Sequence, residues 1–180
     1  MDILLKTNQS TPHYAFADLV DMYSSPVYKF CRSLTYSKED ADDLFQETFL
    51  SAFEQLPKLS ASDDPQGFLF STALYQWKSW KRKYARRNRI APVEPLNETV
   101  SSDVSMEDGF ILQEETRMVK GLVEVLPEKF KIPIILYYTV EMSVTDIALT
   151  LKLPIGTVKS RLFKARKLIE KGLITSGYGK

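Results

Sequence analysis

Ile155-Gly156-Thr157-Val158-Lys159-Ser160-Arg161-Leu162-Phe163-Lys164-Ala165-Arg166 decides how the C-terminal part of this chain folds, because one stretch both specifies a helix and arms it for a polyanion. Val158, Leu162, Ala165 and Ile169 recur at helical spacing and can face a core, while Lys159, Ser160, Arg161, Lys164, Lys167 and Lys171 take the rest of the circumference. Just upstream, Ser143-Val144-Thr145-Asp146 reads as an N-terminal capping box. Ile147, Ala148 and Leu151 then define a short amphipathic helix that ends near Lys152. The pair predicts a helix-turn-helix.

A basic amphipathic helix is most simply a solvated surface. Here the tight turn, the small Gly156, the hydroxyls of Thr157 and Ser160 and the one-sided basic face coincide, which favours DNA. In that geometry Lys159, Ser160, Phe163 and Lys164 reach base edges in the major groove, and Arg161, Arg166 and Lys167 hold phosphates.

Outward from this motif the chain reads as helical nearly throughout. Phe16, Leu19, Val20 and Tyr23 form a first stripe; Pro26 is expected to open a second helix carrying Val27, Phe30, Cys31 and Leu34; Ser37 with Asp40 caps a third. In the third, Ala41, Leu44, Phe45, Thr48, Phe49, Ala52, Phe53 and Leu56 follow three- and four-residue steps until Pro57. A polar loop over 58–67 precedes a helix from about Phe68. Residues 88–109 lose periodicity and collect prolines, serines and acids, as a linker does. Stripes then resume with Val119, Leu122, Val123 and Leu126, and Pro127 opens a helix with Phe130, Ile134, Ile135 and Leu136. The expectation is an all-α protein: a helical domain over 1–90, an acidic flexible linker over 91–111 and a helix-turn-helix domain over 112–180.

The apolar content of 44% excludes disorder throughout, and the balance of 24 basic against 23 acidic residues hides strong segregation. Residues 65–93 hold Lys78, Lys81, Arg82, Lys83, Arg86, Arg87 and Arg89 with no carboxylate; residues 94–108 hold five acids with no base. Local fields therefore choose the partners. With Cys31 and His13 the only residues of their kinds, neither a disulfide framework nor a thiolate–imidazole metal cage can form in one chain, and no cofactor is expected. Cys31 shares a helical face with Val27, Phe30 and Leu34 and reads as core. Residues 1–14 lack a secretory apolar stretch and no run approaches membrane-spanning length, so a cytoplasmic protein is expected.

Two more surfaces stand out. The third helix displays Asp40, Asp43, Gln46, Glu47 and Glu54 with Leu50 among them, which alone would be a solvated face. In the basic segment Phe68, Phe70, Tyr75, Trp77, Trp80 and Tyr84 interleave with Lys78, Lys81, Arg82 and Lys83, combining stacking surfaces with phosphate neutralisation. About half of the aromatics must pack inward.

Asp42-Asp43-Leu44-Phe45-Gln46-Glu47-Thr48-Phe49-Leu50 resembles the helix by which extracytoplasmic-function sigma factors grip the clamp coiled coil of bacterial RNA polymerase, where the run is commonly acid-acid-Leu-Val-Gln-Glu-Thr-Phe-Leu. Leu126-Pro127 and Gly156-Thr157-Val158-Lys159-Ser160-Arg161-Leu162 are similar to the same family's promoter-reading domain, and the likeness extends over residues 16–173. Between the motifs the chain departs from the pattern: Phe68-Leu69, Thr72-Ala73 and Tyr75 stand where the family usually has Trp-Leu, Ile-Ala and Asn, and Lys152 stands where it usually has Gly.

The resemblance implies a sigma factor that is not an enzyme. Asp40, Asp43, Leu44, Gln46, Glu47 and Leu50 would bind core polymerase. Ser60, Ser62, Asp63, Phe68, Phe70, Tyr75, Lys78, Lys81, Arg82 and Lys83 would hold the opened minus-ten element, with a base flipped into the 60–67 loop. Thr157, Lys159, Ser160, Arg161, Phe163, Lys164, Arg166 and Lys167 would read the minus-thirty-five element. The implied partners are core RNA polymerase through its beta-prime clamp and beta flap, promoter DNA, and an anti-sigma factor, which in this family can be anchored in the membrane; the chain itself would be a monomer without membrane insertion. A helix-turn-helix repressor or activator acting apart from polymerase would account for the C-terminal motif alone. A nuclease is disfavoured, since no Gly-rich phosphate loop or nucleophile constellation is present.

Overall fold

The computed structural model describes residues 15–56, 64–90 and 110–177, and every regular element among them is a helix. The first half contains α1 (Phe16–Leu34), α2 (Lys38–Gln55) and α3 (Pro65–Ile90); the second contains α4 (Phe110–Glu124), α5 (Glu128–Tyr138), α6 (Val144–Leu151) and α7 (Ile155–Thr175). This is the expected all-α arrangement with a C-terminal helix-turn-helix. Ser60, Ser62, Asp63, His13 and residues 91–109 of the linker lie outside the described residues. No described helix is long and apolar enough to cross a membrane.

The helix starts follow local chemistry. Ser37 Oγ accepts from the Asp40 amide at 3.0 Å, and Ser143 Oγ accepts from the Asp146 amide at 3.1 Å while donating to Asp146 Oδ2 at 2.6 Å. Asp64 starts α3 by accepting from the amides of Gln66 and Gly67 at 3.0 and 2.9 Å. Each cap satisfies donors that a helix start leaves without partners.

Pro26 departs from expectation, because α1 runs through it instead of restarting there. A proline inside a helix costs about 3 kcal/mol through its missing N–H and ring clash. Burial of Leu19, Val27, Phe30, Cys31 and Leu34 along the same helix offsets this, each apolar side chain contributing ~1.5–3 kcal/mol. Cys31 is core as expected, and burial pushes its thiol up to about 12.

In the first half α1, α2 and α3 pack on one another, with Phe30 meeting Phe70 edge-on at 5.3 Å between ring centres. The stripe expected on α2 is buried at Ala41, Leu44, Thr48, Phe49 and Ala52, but Phe53 is 56% exposed and rests edge-on against Phe16. In the second half α7 lies against α4, α5 and α6. Buried Val158, Leu162 and Ala165 fasten it there, the residues that periodicity assigns to its inner face.

The turn before α7 is a left-handed helix end. Lys152 sits at φ 53°, ψ 50°, its amide donating to Leu149 O at 3.1 Å and the Leu153 amide to Ala148 O at 2.9 Å. The position that the family gives to Gly thus keeps its left-handed backbone with a side chain attached. Lys152→Gly is expected to remove roughly 1 kcal/mol of strain, less the added freedom of the unfolded chain. Thermal unfolding should rise by about 1–2 °C, and a lower midpoint would contradict it.

The halves meet at a seam where α3 packs on α6 and α1 touches α5. Gly67 lies against the second half: a Cβ there would stand 3.1 Å from Thr150 Oγ1, and 2.5 Å from Asp64 Oδ2 at the start of its own helix. Lys81 of α3 forms an ion pair with Glu128 of α5.

Candidate nucleic-acid interface

With Val158, Leu162 and Ala165 turned inward, α7 presents Lys159, Ser160, Phe163, Lys164, Arg166 and Lys167 to solvent, and Thr157 and Arg161 at its flanks are half-buried. Gly156 has nothing within 4 Å of where a Cβ would stand, so packing within the chain does not demand glycine there. What its small size offers is close approach by another molecule. Pro154 precedes the helix and supplies no side-chain cap; its carbonyl takes the Thr157 and Val158 amides, so those of Ile155 and Gly156 and the positive end of the helix dipole remain available to an anion. Lys167 shares its amine with Glu170 at 2.7 Å, and Ser160 Oγ donates to Thr157 O at 3.2 Å. Lys159, Lys164, Arg166 and exposed Phe163 therefore form the least committed part of this surface.

On α2, Asp40, Asp43, Gln46, Glu47 and Leu50 are exposed. Leu44, counted with them from the motif, is fully buried and belongs to the core. A motif names consecutive residues, whereas a helix turns every fourth inward. Glu47 Oε2 accepts from Trp80 Nε1 at 2.7 Å, tying this face to α3. Leu50 and Phe53, exposed beside the acids, make the face acidic and apolar together.

On α3 the aromatics divide. Phe70 and Trp77 are buried, Phe68 and Trp80 half-buried, and Tyr75 and Tyr84 exposed. Phe70, expected at the DNA surface, is instead a core residue against Phe30. Lys78, Lys81, Arg82 and Lys83 are exposed, but Tyr75 and Lys78 line a cavity between α3 and the second half. Lys81, paired with Glu128, lies 4.8 Å over the Trp77 ring.

Lys131 was not singled out by sequence. It is only 6% exposed at the junction of the halves, 5.9 Å over the Tyr36 ring, and burial holds its pKa below the usual lysine value, with Lys81 lowering it further against the opposing pull of Glu124 and Glu128. One lysine in an apolar run carries no sequence signal for this.

The fold and these surfaces define a helical factor with one helix-turn-helix and two further exposed faces of distinct chemistry. A Sigma-70 region 2 model matches residues 19–87 and a Sigma-70 region 4 model matches residues 116–169, together more than half of the chain. The chain is 28% identical over 166 residues to the ECF RNA polymerase sigma factor SigW of Bacillus subtilis, covering 88% of this chain and 89% of that relative. It is 28% identical over 175 residues to the ECF RNA polymerase sigma-E factor of Escherichia coli K12, covering 93% and 91%. In fold it is similar to the sigma factor RpoE crystallised with the anti-sigma factor NepR from Bartonella quintana, at TM-score 0.75 and 23% identity over 88% of this chain and 96% of the other. It is also similar to CnrH in complex with the cytosolic domain of CnrY, at TM-score 0.66 and 21% identity over 89% and 88%. The chain belongs to the sigma-70 family, in its extracytoplasmic-function group, and is an RNA polymerase sigma factor serving promoter recognition and transcription initiation.

Proposed function

We propose that the acidic and apolar face of α2 docks on core RNA polymerase, that α7 reads the minus-thirty-five element as duplex, and that α3 with the 60–67 loop holds the opened minus-ten element. The division into a melting and polymerase-binding domain at 1–90, a spacer at 91–111 and a duplex-reading domain at 112–180 follows from the same reading. The observation that carries it is the order of three exposed chemistries on one chain: acids with Leu50 on α2, Tyr75, Tyr84 and cations on α3, and cations with Phe163 on α7. Polymerase supplies the catalysis; this chain supplies address and strand capture. Holding two DNA elements on one polymerase makes the second contact effectively intramolecular, so two modest affinities give specific binding.

An anti-sigma partner in the cytoplasm is part of the proposal, supported by the complexes in which RpoE and CnrH were solved. Because Tyr75 and Lys78 line the cavity at the seam and Lys81 is engaged there, parting of the halves would free all three for a DNA strand on α3. A repressor acting without polymerase would have no use for the α2 face. Run-off transcription with purified core polymerase on promoter libraries tests the reading. Discrete starts that require this chain support it, and no transcript from any template overturns it.

Arg82 and Lys83 lie on α3 clear of that cavity and exposed. Replacing both by alanine is expected to flatten the slope of log affinity for single-stranded minus-ten DNA against log salt by about 1 to 2, near one per phosphate contact removed. Identical slopes would remove them from the strand's path.

A further inference from the structure

Helices α3, α5 and α6 and the first turns of α7 enclose an open-sided cavity of about 560 Å³ at the seam. Cations reach it from four separate places: Lys78 on α3, Lys129 on α5, Lys152 at the end of α6 and Arg161 on α7. The carboxylate on this wall is Glu128, already engaged by Lys81. Like charges gathered in a cleft with low-dielectric walls repel one another and focus a positive field. Two further costs lie along the seam: Thr150 Oγ1 is buried without a hydrogen-bond partner, and the Lys131 amine is largely withdrawn from water. The lining of the cavity itself thus holds four cations against one carboxylate.

The rest of the wall restricts what can bind those cations. Leu74, Ile132 and Leu151 make part of it apolar, and Tyr75 offers an exposed ring at the same opening. The volume falls within the roughly 300–1,000 Å³ of small-molecule sites. A ligand that satisfies both parts carries several negative charges at one end and a flat apolar body at the other.

We propose that this cavity binds a nucleoside polyphosphate, its phosphates on Lys78, Lys129, Lys152 and Arg161 and its base against Tyr75 and the apolar wall, and that the bound ligand fastens the two halves together. Charge-assisted contacts to phosphate would convert the mutual repulsion of the cations into attraction. The ligand touches both halves and so favours the closed arrangement, and while bound it covers Tyr75 and Lys78, which the proposed function gives to DNA. By linkage, nucleotide and promoter DNA then weaken each other's binding by the same factor.

The test uses the full chain without polymerase or magnesium, titrated with ATP and separately with GTP by calorimetry and by tryptophan fluorescence from Trp77 and Trp80 beside the seam. Expected is saturable one-to-one binding with a dissociation constant of roughly 0.1 mM, typical of an open site. The double variant Lys129→Glu with Lys152→Glu should weaken it at least tenfold, whereas Lys129→Arg with Lys152→Arg should retain it. Affinity for single-stranded minus-ten DNA, read by anisotropy, should fall with added nucleotide in the unaltered chain and not in the Glu variant. Absence of saturable binding with both nucleotides overturns the proposal, and so does equal binding by the Glu variant. Equal affinity for inorganic tripolyphosphate also overturns it, since the base would then contribute nothing. A chain that binds neither nucleotide can still direct run-off transcription, so this site and the sigma-factor reading fail separately.

Discussion

Replacing Lys159 and Lys164 by alanine is expected to lower promoter-directed transcription about 100-fold or more while core polymerase still co-purifies with the variant. Both side chains are exposed on the outer face of α7, with no hydrogen bond or ion pair to a neighbour among those described, so the chain's own fold does not depend on them. Alanine also keeps the helix, being its most favourable residue. The loss therefore falls on the complex, where a good base or charge-assisted contact contributes ~1–3 kcal/mol and two together correspond to roughly two to four decades in affinity. Retained transcription would mean that α7 meets DNA through another face or not at all. Lost co-purification would mean that the same cations serve polymerase.

Reversing charge at Asp43 and Glu47, each to lysine, is expected to reduce polymerase binding by about 10- to 100-fold in a pull-down titration, because repulsion replaces attraction at two points of one docking face. Asp43 is exposed, so its substitution tests the interface directly. Glu47 also holds the indole of Trp80, so Glu47→Gln is the needed companion: it keeps an acceptor for Trp80 Nε1 and removes only the charge. If Glu47→Gln with Asp43→Asn weakens binding in proportion, the charge acts on the partner. If polymerase binds both double variants normally, the acidic face is solvated surface.

Much of the fold was legible because its signals are local. The capping serines Ser37 and Ser143 need only the residue three positions on, and the inner face of α7 needs only its own spacing. Even the left-handed residue at Lys152 could be read, as the point where the sequence departs from a family glycine. Pro26 was misread because the local rule that proline opens a helix at its first turn gives way to packing on both sides of it. Leu44 was placed at a binding surface by likeness of motif, although helical phase already set it in the apolar stripe, and Phe70 by its place among interleaved aromatics and cations. The meeting of α3 with α6, the burial of Lys131 and the ring of cations at the seam join residues far apart in sequence, which no spacing rule can anticipate.

The lysine that α3 would extend toward a parted strand is held, in this arrangement, by an acid of the chain itself. Ions in solution loosen both attachments of Lys81, the internal one with Glu128 and the external one with phosphate. At low ionic strength both are strong, and the contact with phosphate, where several cations act on one strand, falls faster as salt rises. Transcription should therefore decline steadily with salt, the exposed pair with Glu128 setting only a small offset of no more than ~1 kcal/mol. With Glu128→Gln the rate should rise by about fivefold at most, and most at low salt.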